Sequence, residues 1–307
     1  VATRLQTIGV VPYEACSSVA LTMQRGHCPI LRIRCCPIAM SGIPGLSRLE
    51  AEFARAGGTE LPYLRVHYAR FAATKREYDR TQRQAPGTVL DVGAHWLHQA
   101  LLWALDGWKV CALDMPVTLD VPMVRDLAAL HSIRLLPNRD LQNPTALDAL
   151  ADDSVDVVLF TEVIEHITFN PVAMWRAIHR VLRPGGTIVV TTPNYYALRG
   201  RASAPMRFLR GGGGGLGVDA LIGEPTFAHH WKEYSRSELA AYFSLLSADF
   251  RVAKARYVPD SPADAFVSIP GREYISLERA LPFLRPQLHL EVALAGKRHG
   301  VIADPAW

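Results

Sequence analysis

The chain has 307 residues, 49% of them hydrophobic and 20% charged, which suits one large globular domain with appendages or two small domains. A formal net charge of +4 neither requires nor excludes a nucleic acid or another anionic partner, so charge does not decide function. No apolar run is long enough to span a bilayer, and the first residues lack the order of a signal peptide.

Residues 1–39 show neither helical nor alternating periodicity and begin with Val. The expectation is that Met40 is the physiological start and that this leader is disordered or misassigned. Four of the five cysteines, Cys16, Cys28, Cys35 and Cys36, lie in it, none at the CxxC spacing of a zinc or redox site. Cys111, in "KVCALD", reads as a buried strand thiol, and a reducing, cytoplasmic environment fits this usage. Residues 40–85 read as an N-terminal helical segment, with Ser47 ahead of Glu50 as its capping pair.

After Pro86-Gly87 the pattern becomes strand and helix in alternation. "TVLDVG" (88–93) is a strand, "HWLHQALLWAL" (95–105) a helix and "KVCALD" (109–114) a second strand. "VRDLAALH" is a helix, "IRLLP" a third strand and "VDVVLF" (155–160) a fourth. "PVAMWRAIHRVL" (171–182) is a helix with Pro at its first turn, stopped by "RPGG", and "TIVVTT" (187–192) is a fifth strand. Near-continuous Val/Leu/Ile strands alternating with helices imply a mostly parallel sheet covered on both faces. An interruption follows, about 197–230, with five consecutive glycines at 211–215 and the arginines Arg199, Arg201, Arg207 and Arg210. It reads either as a cover over a site, its arginines receiving an anionic substrate, or as a surface insertion with a solvated basic face. Regular pattern returns with "SRSELAAYFSLL", capped by Ser235 or Ser237, then the strands "FRVAKARYV" and "LHLEVALAGKR" (288–298). Strands and helices together make a single domain over residues 86–298, with a tail at 299–307.

Chemistry concentrates at strand ends. Asp91 closes the first strand and Gly93 turns the chain into a helix, the crevice where open α/β sheets bind ligands. Asp114 ends the second strand about twenty residues on, the position suited to a carboxylate that grips both hydroxyls of a ribose. Asp140, after the third strand, is placed for a further contact, to an adenine amino group.

"TVLDVG", the acidic end of "KVCALD", "VDVVLFTEVIEHI", "RVLRPGGTIVVTTPN" and "HHWKEYSRSEL" fall in the order seen in class I S-adenosylmethionine-dependent methyltransferases. Over roughly 86–297 the chain most resembles the branch of ubiquinone-biosynthesis O-methyltransferases and the methyltransferases of bacterial glycan and cell-envelope synthesis. The resemblance implies a Rossmann-like, doubly wound, mostly parallel seven-stranded α/β sheet with an N-terminal helical extension and a Gly-rich insertion. It implies S-adenosylmethionine as cofactor, with Asp91 and Gly93 against its methionine part, Asp114 on the ribose, Asp140 facing the adenine and Glu162 beneath it. The acceptor would be a hydroxyl of a small molecule, quinone or glycan. One departure matters: His95 and Leu97 stand where the family's first motif usually has its second and third glycines. A catalytically silent, cofactor-binding relative is the corresponding alternative.

"FTEVIEHITFNP" (160–171) carries Glu162, Glu165 and His166, which share one face if they lie on a helical turn. One reading is general-base catalysis by His166 with Glu165 beside it. A second is that the glutamates orient the loop beneath the cofactor around a partly buried histidine. A third is a divalent metal held by Glu162, Glu165, His166 and His230, resembling plant-type small-RNA 2′-O-methyltransferases, which would make the acceptor a terminal RNA ribose. The chain lacks the aromatic-interleaved basic stretch of single-strand binders, which weighs against nucleic acid. Thr192-Pro193-Asn194 either lines the acceptor site or makes the turn that Pro and Asn favour.

Overall fold

The computed structural model describes residues 43–58, 61–81, 85–197, 218–223, 225–258, 278 and 280–302. The leader, its four cysteines, and the glycine run with Arg199, Arg201, Arg207 and Arg210 lie outside them. A seven-stranded sheet has the order β3-β2-β1-β4-β5-β7-β6, built from β1 (Thr88–Val92), β2 (Lys109–Asp114), β3 (Arg134–Pro137), β4 (Val155–Thr161), β5 (Leu182–Pro193), β6 (Phe250–Val258) and β7 (Gln287–Leu294). The first five pair in parallel, and β7 runs antiparallel between β5 and β6. The order reverses at β1/β4, the point where open α/β sheets leave a crevice beyond the strands' carboxyl ends.

Two apolar clusters cover the two faces. One packs α6 (Val172–Val181) and α8 (Arg236–Leu246), the latter after a short α7 (Val218–Gly223), against Leu90, Val158, Phe160 and Ile188. The other packs α1 (Leu46–Arg55), α2 (Pro62–Asp79), α3 (His98–Leu105) and α5 (Pro122–Leu130), α4 (Pro116–Leu119) lying ahead of α5, against Val89, Val110, Val157 and Val189. Alternate strand residues thus feed opposite cores, which is why both-face burial reads as unbroken apolar runs. Among the described residues no helix is long and apolar enough to cross a membrane.

Local chemistry sets several boundaries differently from the sequence expectation. Ser47 is inside α1, whose N-cap is Gly45 with no side-chain cap. Ser235 does cap α8, in a reciprocal capping box with Glu238. β5 begins at Leu182 rather than Thr187, because "RPGG" belongs to the strand, interrupted only at Gly185 with φ 80°, a conformation glycine adopts without steric cost. The helix after β1 begins at His98, since His95 and Leu97 have left-handed backbones. A bridge between Asn194 and Tyr234 joins the chain on either side of the 195–233 stretch.

Candidate active site

A cavity of about 670 Å³ opens at the carboxyl ends of β1, β2 and β4 and is lined by Asp91, Gly93, Asp114, Asp140, Glu162 and His166. All the residues singled out for the cofactor and for catalysis therefore meet there, except Glu165, which lies behind its wall. Asp91 is 1% exposed, and neither carboxylate oxygen has a hydrogen bond of normal geometry. Burial, then the neighbouring Asp114 carboxylate, push its pKa up to about 7. The Ala100 amide, in the first turn of α3, opposes the shift. A bare carboxyl group in this position is ready for a donor that the protein does not provide.

Gly93 has φ 76°, and a Cβ there would sit 2.5 Å from Val163 Cγ2. The backbone from 93 to 97 keeps the left-handed conformation at alternate residues even where glycine is absent, with φ 46° at His95 and 66° at Leu97. Each of those two costs about 1–2 kcal/mol. The path returns an interaction: the His95 amide donates to Asp114 Oδ2 at 2.7 Å, and the Met115 amide to Oδ1 at 2.6 Å. Asp114 is thereby fixed with its remaining lone pairs toward the cavity. Asp140 Oδ1 accepts from the Gln142 amide at 2.8 Å, and its carbonyl from Asn138 Nδ2 at 2.6 Å.

The opening of the 160–171 stretch does not put its three polar residues on one helical face. Glu162 precedes the turn Ile164–His166 and has φ 56°, so the three do not lie on one helical turn. It accepts from Arg70 Nη1 (3.1 Å) and Thr191 Oγ1 (2.8 Å). Glu165, 0% exposed, accepts from Thr192 Oγ1 at 2.9 Å through Oε2, while Oε1 has no partner. Burial and the Glu162 charge hold its pKa well above the usual carboxylate range. His166 Nδ1 is 3.0 Å from the His229 carbonyl, a pairing that makes Nδ1 the donor. Burial and His230 lower its pKa, so the ring is neutral near pH 7.

His230 does approach, its ring centroid 4.8 Å from that of His166. Ligand atoms of Glu165, His166 and His230 lie within 4.8 Å of one another; Glu162 stands outside this group. Thr192 is buried and serves Glu165, and Asn194 Nδ2 is spent on the carbonyls of Phe283 and Arg285. Thr192 and Pro193 thus end β5, paired to β7, and Asn194 bridges to Tyr234, all outside the cavity lining and none of them in a turn.

Sequence reading singled out no residue of α2. Tyr63, Arg70, Phe71 and Thr74 of that helix line the cavity, spaced to share one helical face, and Arg70 brings the cation that meets Glu162. Only that spacing in "YLRVHYARFAAT" could have revealed it.

A family profile described as "Methyltransferase domain" matches residues 90–190, the span from β1 through β5. A ubiquinone biosynthesis O-methyltransferase of Xanthomonas campestris pv. campestris is 30% identical over 170 residues, 54% of this chain and 64% of that protein. The enzyme of the same name from Xanthomonas euvesicatoria pv. vesicatoria is 29% identical over the same shares. The chain thus spans less than two thirds of the length of these relatives. A solved chain from the complex of the Haloferax volcanii Trm112 methyltransferase activator with a methyltransferase superposes with a TM-score of 0.50 at 20% identity, covering 80% of this chain and 97% of that one. That likeness is one of fold. Residues 90–190, which carry Asp91, Gly93, Asp114, Asp140, Glu162 and His166 of the cavity, match a methyltransferase domain, and the chain is similar there to known methyltransferases.

Proposed function

We propose that the protein transfers a methyl group from S-adenosylmethionine to a hydroxyl oxygen of a small molecule, a quinol-type phenol or a glycan. The observation that carries the reading is the buried, unpartnered Asp91 carboxylate beside Gly93 and the amide-fixed Asp114, all facing one cavity. These groups fit the cofactor's chemistry. Asp114 suits the ribose hydroxyls, Asp91 the amino group of the methionine part, Arg70 its carboxylate, and Asp140 the adenine amine. When bound, the cofactor supplies a methyl group made electrophilic by a positive sulfur. His166, which lines the cavity, takes the proton of the acceptor hydroxyl at Nε2. The His229 carbonyl holds the imidazole in the required tautomer. Glu165, 4.0 Å away at Oε1, supports the imidazolium that forms. The names of the curated relatives favour a quinone-related phenol. Calorimetric titration with S-adenosylmethionine tests the reading, and absence of binding at high micromolar concentration overturns it.

A second reading is favoured by the approach of His230: Glu165 Oε1, His166 and His230 hold a divalent metal that orients the acceptor's oxygens. The fully buried, unpartnered Oε1 and the outer-shell carbonyl of His229 suit that role. Activity that survives exhaustive chelation assigns His166 to base catalysis; activity restored only by a divalent ion assigns it to the metal and extends the acceptor to vicinal hydroxyls, a terminal RNA ribose among them.

A further inference from the structure

The left-handed residues of the Gly93–Leu97 loop are held by different means. Leu97 is fully buried, and its amide bonds the Ala94 carbonyl at 2.8 Å, so core packing fixes it. His95 is partly exposed, and its Nδ1 has no hydrogen-bond partner. What surrounds it is rings. Tyr63, from α2, lies 4.8 Å from it between centroids, Trp96 4.9 Å and His98 5.7 Å. His98 is in turn stacked on Phe53 of α1 at 5.0 Å and on Phe71 of α2 at 5.6 Å. Among these rings Tyr63 reaches His95 from α2, distant in the chain, and is itself 37% exposed.

We propose that Tyr63 is a positioning residue for the cofactor loop: bearing on His95 from helix α2, its ring keeps that residue in the left-handed conformation that aims its N–H at Asp114. The inference rests on the cofactor reading above. A strained conformation persists only when its surroundings over-determine it. Without the Tyr63 ring the loop relaxes, the amide leaves Oδ2, and binding has to restore the strained path. Apparent affinity then falls by the fraction of molecules that still hold it. A glycine at 95 adopts the same φ at no steric cost, so removing the His95 side chain also removes the need for the clamp. Two losses of packing should therefore cancel where independent losses would add.

The test is a double-mutant cycle of native chain, Tyr63→Ala, His95→Gly and the double variant, titrated calorimetrically with S-adenosylmethionine and melted without it. Tyr63→Ala is expected to weaken binding about tenfold, the order of one or two ring pairs. The double variant returns to within about threefold of native, and it melts above Tyr63→Ala. Tyr63→Phe, which keeps the ring and loses only the hydroxyl that accepts from Arg70 Nη2 at 3.5 Å, binds closer to the native chain than to Tyr63→Ala. Native affinity in Tyr63→Ala, losses that simply add in the double variant, or a Tyr63→Phe as weak as Tyr63→Ala each overturn the proposal. Should the native chain bind no S-adenosylmethionine, the cofactor reading falls, and the melting cycle alone decides the clamp by the same criterion of additivity.

Discussion

Replacing Asp91 by Asn should make the ligand-free protein more tolerant of alkaline pH while impairing cofactor binding. The carboxyl has an ordinary value of 3.8 and is pushed up to about 7 when folded. The folded state therefore binds the proton more tightly than the unfolded chain. The stability this lends is fully present below about pH 4 and is lost as pH rises through 7, after which the burial of the charge costs about 4 kcal/mol. Between pH 5 and pH 8 the same two values give a change of about 2.5 kcal/mol. The amide side chain of the Asp91→Asn variant cannot ionise, so that protein lacks this slope, whatever constant offset the amide introduces. Urea unfolding of both proteins at half-unit pH steps reads the difference directly. Expected is a stability difference, variant minus native, that grows by about 2.5 kcal/mol from pH 5 to pH 8. A difference flat across that range would falsify the claim that Asp91 is buried without a partner. In the presence of S-adenosylmethionine the order reverses, because only the native carboxylate gains the ligand's amino group as its counter-charge.

His166→Ala should lower kcat by roughly 10²–10⁴-fold with little change in cofactor affinity if the ring is the base, measured by single-turnover methyl transfer. Arg70→Met strips Glu162 of its cation; cofactor affinity should drop, and Glu162→Gln in the same chain should recover part of the lost melting temperature, since it removes the stranded charge. His98, whose pKa burial lowers to about 3 from 6.5, supports stability that is fully present above pH 6.5 and fades as pH falls toward 3. His98→Phe keeps the stack with Phe53 and Phe71 and should flatten this acid limb by about 2 kcal/mol between pH 7.5 and pH 5, read by thermal or urea unfolding; an unchanged limb would show that His98 is not the group responsible.

The sheet was legible because parallel strands buried on both faces carry continuous apolar runs, and because Asp91, Gly93 and Asp114 sit at strand ends fixed by those runs. Ser235 with Glu238 was legible too, since a capping box is a local interaction. The features that escaped are those made by contact across the fold. Arg70 reaches Glu162 over 92 positions of chain, and nothing near either residue announces the pair. The ring cluster around His98 draws on α1, α2 and the Gly93–Leu97 loop together. Glu162 departs from the expected helical face because its own left-handed backbone turns it toward Arg70, and spacing in a sequence carries no sign of φ. At His95 the sequence showed a missing glycine, whereas the backbone conformation persists and the side chain is accommodated by neighbours.

The bridge from Asn194 to Tyr234 has a consequence for how such a protein diversifies. It fastens the neck of the chain stretch between them next to β5, and the Trp231 and Lys232 amides both close on the Glu165 carbonyl, the former at 2.7 Å. With the neck closed, doubling the stretch's length adds only about 0.6 kcal/mol of closure entropy, and tension from a new sequence ends at the neck. A change of length or sequence between the two bridge residues can therefore leave the register of the β1 and β2 carboxylates untouched.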